Sequence, residues 1–319
     1  MADKKKILLS GIKPTGNLHL GNYFGAIKQF VELQNKYDSY VFIADYHAMT
    51  TLLDAKELSE NSFNIAVDYM ALGLDPTKMT LFKQSDLPQV TELCWIFNCL
   101  TTVPYLERAH AYKDAVAKGK EANIGLFDYP ILMAADILIQ DADIVPVGQD
   151  QKQHVEYARD TAEKFNRTFG KAFKIPEPYI LKDVAVVPGI DGQKMSKSYN
   201  NTIPIFASDE EIKKLVMGIV TDSNSGRPEN VYAIHKLIKP EAELEKVYTE
   251  FAGKYQKLKE ALYNDLVSFL TPFREKREQL LKDRAGVLAI LKAGGDKARA
   301  RAEAKMAEVR KLTGLTLTA

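Results

Sequence analysis

With 319 residues the chain can bury a large core, and its length suits one large domain with a smaller one. A hydrophobic content of 46% and a charged content of 27% are ordinary for a globular protein and speak against a low-complexity chain. The net charge of +1 excludes capture of a polyanion by overall charge, so such a partner must meet a local patch.

The charged start, residues 1–6, is followed by an apolar run of about four residues, too short for a signal peptide. No apolar run reaches the ~18 residues of a membrane span. A reducing, cytoplasmic location without a membrane partner is the expectation. Residues 7–10 read as a first strand. Residues 10–22 follow as Ser-Gly-Ile-Lys-Pro-Thr-Gly-Asn-Leu-His-Leu-Gly-Asn and run into an amphipathic helix expected over 20–37. A strand, a glycine-bearing turn and a helix N-terminus bring backbone N–H groups and the positive end of the helix dipole to one point. His19 and Asn22 are three apart and share a side of the first helical turn. Gly21 leaves bare backbone against which a flat ring can lie. The stretch is neither GxxxxGK[ST] nor GxGxxG.

A second strand, 41–44, ends at the polar turn 45–50. Ligands of open parallel sheets bind outside the carboxyl ends of the strands, which makes His47 a pocket candidate. A lone histidine in a turn is more often a structural hydrogen-bonding residue. Asp54 and Glu57 have capping-box spacing and open a helix to about residue 74. A third strand is expected over 80–83. A helix over 89–100 holds Trp95, Cys94 and Cys99; two cysteines five apart in a buried helix suit neither a disulfide framework nor a metal knuckle. The charged stretch 104–120 reads as a helix, either solvated or at a subunit contact.

Pro130 suits a first helical position, which makes Tyr129 the cap and puts Met133 and Asp136 on one face. An aromatic ring, a thioether and a carboxylate then form an amphipathic cradle. An acid inside the apolar run 131–139 is costly to bury unpaired and wants a donor. A ligand indole N–H is one such donor, a phenol hydroxyl another, and a local Arg or backbone N–H a third. Strand 143–147, a turn at Gly148 and a helix over 150–166 repeat the strand-end and helix-start arrangement. A strand over 184–187 precedes a loop holding Lys194, Met195, Ser196, Lys197 and Ser198, whose ammonium groups and hydroxyls suit a polyphosphate or plain solvent. Beyond it the pattern is helical: 210–220, a turn at 221–226, then 243–257, and 259–281 interrupted at Thr271 and Pro272. After Gly294 and Gly295 a basic helix is expected over 297–311, solvated or facing RNA.

His19-Leu20-Gly21-Asn22 and the Lys194–Ser198 loop, in this order and about 175 residues apart, resemble the two signature motifs of class I aminoacyl-tRNA synthetases. Residues 10–16, 129–137 and 143–154 resemble the tryptophan-specific branch of that family. The resemblance implies an α/β fold, a doubly wound parallel sheet of Rossmann type, with a C-terminal all-helical domain. It divides the chain into a catalytic nucleotide-binding domain, 1–203, and an anticodon-binding domain, 204–319. It implies ATP with Mg²⁺ held on the substrate, no metal site of the protein's own, and L-tryptophan, tRNA(Trp) and a second copy of the chain as partners. The catalytic positions it marks are Thr15, His19, Lys194 and Lys197. For ATP it adds Lys13, Pro14, Gly21, Asn22, Gly148, Gln149, Asp150, Val186, Met195, Ser196 and Ser198. For tryptophan it marks Leu9, His47, Tyr129, Met133, Asp136, Val147 and Gln151. Gln149 stands where the family more often has Glu, and Lys13 where it often has Gln. A tyrosine-specific synthetase of the same fold and a non-catalytic nucleotide- or RNA-binding relative remain as rival readings.

Overall fold

The computed structural model describes residues 5–14, 16–119, 121–148, 152–180, 187–221 and 227–317. Up to residue 180, apolar strands alternate with helices. Strand β1 is Ile7–Ile12; α1, Leu20–Asn22, continues through a π-helical stretch, Tyr23–Ile27, into α2, Lys28–Leu33. Then come β2 (Asp38–Ile43), α3 (Asp45–Ala48), α4 (Ala55–Ala71) and β3 (Met79–Lys83). They are followed by α5 (Gln89–Asn98), α6 (Val103–Leu106), α7 (His110–Ala117), α8 (Ile124–Ile139), β4 (Ile144–Val147), α9 (Lys152–Phe169) and β5 (Glu177–Ile180). Among the described residues beyond 208 the elements are all helices: α10 (Asp209–Met217), α11 (Glu229–His235), α12 (Glu241–Glu250), α13 (Tyr255–Lys282) and α14 (Arg284–Leu312).

The five strands form one parallel sheet in the order β3-β2-β1-β4-β5. Both faces are covered, so β1 to β3 read as nearly continuous apolar runs. Leu9, Tyr40, Phe42 and Phe82 face a core built with α5, α8 and α9. Val41, Ile43 and Leu81 face a second core, toward α4 and α13. The chain winds one way from β1 to β3 and the other way from β4 to β5. This reversal leaves a crevice at the carboxyl ends of β1 and β4, where doubly wound sheets bind ligands.

Several expected elements differ. The fifth described strand, 177–180, was not expected, and the expected strand 184–187 is untested because residues 184–186 lie outside the described residues. Val187 is buried without being a strand, and its carbonyl accepts the Met195 N–H at 2.8 Å. The stretch 104–120 is two helices, because Ala109 is extended and buries its methyl in the core. Pro130 lies inside α8, and Asn123, not Tyr129, caps that helix by accepting the Leu126 N–H at 2.8 Å. Pro272 likewise sits within an unbroken α13, whose buried seam Leu262, Leu266, Leu270 carries on into Phe273 against Tyr23. Packing on both sides of each proline holds the helix where one backbone bond is missing. Cys94 is buried but Cys99 is exposed, and Trp95 is 71% exposed.

Gly294 and Gly295 were expected to precede the last helix, yet α14 runs straight through them. They bring its backbone onto β3: a Cβ on Gly294 would lie 1.9 Å from the Leu81 carbonyl oxygen. Only a residue without a side chain fits there. Several basic residues of α14 serve internal contacts, while Lys292, Lys297 and Lys311 are exposed. Lys305 is buried and reaches the Ala172 carbonyl at 2.6 Å and Asp141 at 3.0 Å. Arg310 clamps Glu92 with two bonds of 2.7 and 2.5 Å, and Arg301 donates to the Gln140 carbonyl at 2.9 Å. Gly294→Ala is expected to lower stability by about 3 kcal/mol, since the added methyl meets backbone and not a movable side chain. A lower urea midpoint at unchanged slope checks it.

Candidate active site

A cavity of about 570 Å³ opens at the crevice between β1 and β4. One part of its lining brings together Leu9, His47, Tyr129, Met133, Asp136 and Val147, the residues expected to take the amino acid. Another brings together Lys13, Asn22, Gly148 and Lys197, expected to take the nucleotide. Lys13, His47, Val147 and Gly148 come from strand ends, Leu9 from within β1, and Tyr129, Met133 and Asp136 from one face of α8.

Asp136 is the buried charge of this cavity, 4% exposed. His47 Nε2 lies 2.9 Å from one carboxylate oxygen, and Gln84 Nε2 donates to both oxygens at 2.9 and 2.8 Å. Burial pushes the Asp136 pKa above the usual carboxylate range, while His47 and Gln84 pull it back. An ionised carboxylate has about four acceptor positions, so three contacts leave capacity for a donor in the cavity. Tyr129 is fixed beside it: its hydroxyl lies 2.5 Å from His154 Nε2, and burial pushes its pKa up to about 12. The His47 and Tyr129 rings meet edge-on at 6.2 Å. Met133 is half-buried against the same wall.

The two phosphate-type loops meet on the other side. At the start of α1 the His19 N–H donates to Asn22 Oδ1 at 3.1 Å. The Leu20 N–H bonds the Ile203 carbonyl and the Ile205 N–H bonds the Leu18 carbonyl, each at 3.0 Å, which ties the first loop to the segment after the second. The Gly21 N–H points at Met195 Sδ, 3.3 Å away. A Cβ on Gly21 would be 2.9 Å from His19 Nδ1 and 3.4 Å from Met195 Cβ, so the glycine is needed for the close approach. Lys197 Nζ stands over Gly16, 3.5 Å from where a Cβ would be. The second loop is braced from within: the Ser196 N–H donates to Asn201 Oδ1 at 2.7 Å, and Asn201 Nδ2 donates to Asp191 at 2.8 Å.

His19 is neutral at pH 7. Burial and the Lys197 ammonium lower its pKa to about 4. The neutral ring still donates one hydrogen bond and carries no charge cost in the closed site. A folded-state pKa below the unfolded value makes stability fall as pH drops from about 6.5, where the unfolded chain takes up a proton, toward 4, where the folded one does. Between pH 7 and pH 5 this histidine is expected to withdraw about 2 kcal/mol. Urea midpoints at the two pH values should differ less in His19→Asn than in the parent.

The sequence model of the family described as "tRNA synthetases class I (W and Y)" matches residues 1–277. The tryptophan–tRNA ligase of Fusobacterium nucleatum is 51% identical over 316 residues, 96% of this chain and 97% of that relative. The chain belongs to the class I tRNA synthetases. The crystal structure of tryptophanyl-tRNA synthetase from Campylobacter jejuni, complexed with ADP and tryptophan, superposes with a TM-score of 0.92 at 45% identity, over 97% of this chain and 99% of that one. Tyrosyl-tRNA synthetase from Archaeoglobus fulgidus, at 20% identity and a TM-score of 0.66, shares the fold.

Not every expected residue of this class I synthetase faces the cavity. Lys194 and Ser198 are exposed and do not line it; neither do His19, Gly21 and Ser196, nor the buried Pro14 and Met195. Lys13 does line it, with its ammonium on the Thr50 and Thr51 hydroxyls at 3.2 and 3.1 Å and its pKa lowered by burial. Thr15, Gln149, Asp150, Gln151 and Val186 lie outside the described residues. Gln84 was missed. Its position just past β3 matches that of His47 just past β2, and that placement was the available signal.

Proposed function

We infer that this chain is a tryptophan–tRNA ligase. The observation that carries the reading is the pairing, in one cavity of a class I synthetase, of a buried acid beside an aromatic wall with a cationic, glycine-bearing phosphate side. Asp136 accepts the indole N–H, and Tyr129, Met133, Leu9 and Val147 enclose the ring. The tryptophan carboxylate oxygen attacks the α-phosphorus of ATP; a new P–O bond forms as the bond to the β-phosphate bridging oxygen breaks and pyrophosphate leaves. A terminal ribose hydroxyl of tRNA(Trp) then attacks the activated carbonyl, giving the ester and AMP. Neither step asks for a protein nucleophile, so positioning and charge stabilisation do the catalysis. Lys197 and Lys194 meet the charge growing on pyrophosphate, Mg²⁺ arrives bound to the ATP phosphates, and His19 and Thr15 are assigned to the other side, the Gly21 and Asn22 N–H groups being taken up by Met195 Sδ and the His19 carbonyl. Gly148, Gln149 and Asp150 are assigned to the ribose and adenine side.

The reading extends to the rest of the chain. Residues 1–203 form the nucleotide-binding part, and the helical part from 204 meets the anticodon stem through α10 to α13, since α14 is committed to the sheet. A homodimer is proposed through the α6 and α7 region, where Val103 is 60% and Val116 is 55% exposed. Among the described residues no helix is long and apolar enough to cross a membrane, and a cytoplasmic site of action is proposed. ATP–pyrophosphate exchange with each amino acid separately is the test. Exchange driven by tryptophan is expected; exchange driven by tyrosine instead, or none, overturns the reading.

A further inference from the structure

The cavity does not stop at the two substrate sides. Side chains alternate along β1, so Leu9 and Gly11 face one side of the sheet and Ser10 and Ile12 the other. The cavity touches both sets, and it therefore wraps around the carboxyl end of the strand. On the far face its walls are Ala26 from the π-helical stretch, Phe30 from α2, and Ile65 and Tyr69 from α4. Ser10 and Tyr69 are each 6% exposed, and among the described residues neither hydroxyl has a hydrogen-bond partner. Neither is among the buried polar atoms sealed off from space, so both open onto the cavity. None of these residues belongs to the tryptophan or ATP sides described above. A buried hydroxyl without a partner carries a desolvation cost that a ligand group can relieve. The rest of this wall, Ala26, Phe30 and Ile65, is apolar.

We propose that this lobe is a second small-molecule subsite, taking a small aromatic compound that bears one hydroxyl: the ring lies among Ala26, Phe30 and Ile65, and its hydroxyl bonds Tyr69 and Ser10. Ligand pockets have this character, apolar walls with a few placed polar groups. The lobe is separate from the indole cradle, because β1 lies between Asp136 and Tyr69.

The test uses 4-fluorophenol, followed by fluorine NMR on the full chain with tryptophan and ADP both saturating. Saturable binding is expected to persist with the substrate sides filled. Tyr69→Phe is expected to weaken it about fivefold, the loss of one uncharged hydrogen bond. Ala26→Leu should abolish it by filling the lobe. Tryptophan-dependent exchange retained in Tyr69→Phe shows that this variant folds, and Ser10→Ala gives an independent reading of the polar end. Displacement by tryptophan or ADP, indifference to both Tyr69→Phe and Ser10→Ala, or no saturable binding would each overturn the proposal.

Discussion

Asp136→Ala is expected to lower kcat/KM for tryptophan about 10³-fold while the KM for ATP stays within about twofold. The size of the effect follows from what the acid replaces. Deleting it removes a charge-assisted bond to the indole nitrogen and leaves His47 Nε2 and Gln84 Nε2 without their acceptor in a dry pocket. The ATP contacts proposed for Lys197 and the start of α1 lie on the far side of the cavity and should survive. Asp136→Asn keeps the shape but turns an amide NH₂ toward Gln84 or His47, so it should recover little. Burial raises the Asp136 pKa, and a protonated acid cannot accept at that oxygen. Tryptophan use should therefore weaken as pH falls through that raised value. Exchange kinetics at varied tryptophan and varied ATP decide the matter; unchanged tryptophan kinetics in Asp136→Ala would refute the pocket assignment.

Two polar residues of the cavity were legible in the sequence because one follows an apolar strand and the other sits within an apolar helix, where a polar group is conspicuous. His47 and Asp136 each stood out in this way, and the structure joins them at 2.9 Å. Gln84 did not, because an uncharged amide after a strand is an ordinary loop residue until its partner is known. Strands β1 to β4 announce themselves by apolar runs buried on both faces. Strand β5 does not: Glu177-Pro178-Tyr179-Ile180 is an edge with alternating exposure, and its proline needs no ladder partner on the open side. The long C-terminal helix was misjudged at Gly294 because a glycine pair suggests a break when the strand it must pass is about 210 residues away in sequence. Tertiary packing decides such cases, and a local pattern cannot report it.

The same long-range joining makes the phosphate side work as one unit. The His19 loop and the Lys197 loop are stitched by the Leu20–Ile203 and Ile205–Leu18 backbone bonds and by Gly21 against Met195. A mutation in either loop thus acts on a preorganised whole, and effects of paired deletions should fall short of their sum.

Lys197→Ala is expected to slow adenylation by about 10² to 10³ while the tryptophan dissociation constant changes less than about twofold. Nζ of Lys197 sits beside Gly16 and close enough to His19 to lower the histidine's pKa, so it faces the point where the leaving phosphates gather. Lys197 is exposed to the open cavity, yet partial burial of its ammonium lowers its own pKa, so its charge gains when negative charge develops opposite it. An interaction that strengthens as charge develops lowers the barrier without tightening the ground state. Lys197→Arg should not restore the rate, because the planar guanidinium is wider than the ammonium that fits over the bare Gly16 backbone. Lys194, exposed at the loop's edge, should show a smaller rate loss when replaced by Ala. Single-turnover adenylation measured alongside tryptophan binding separates the outcomes; equal losses in both would mean that Lys197 holds substrate and not the transition state.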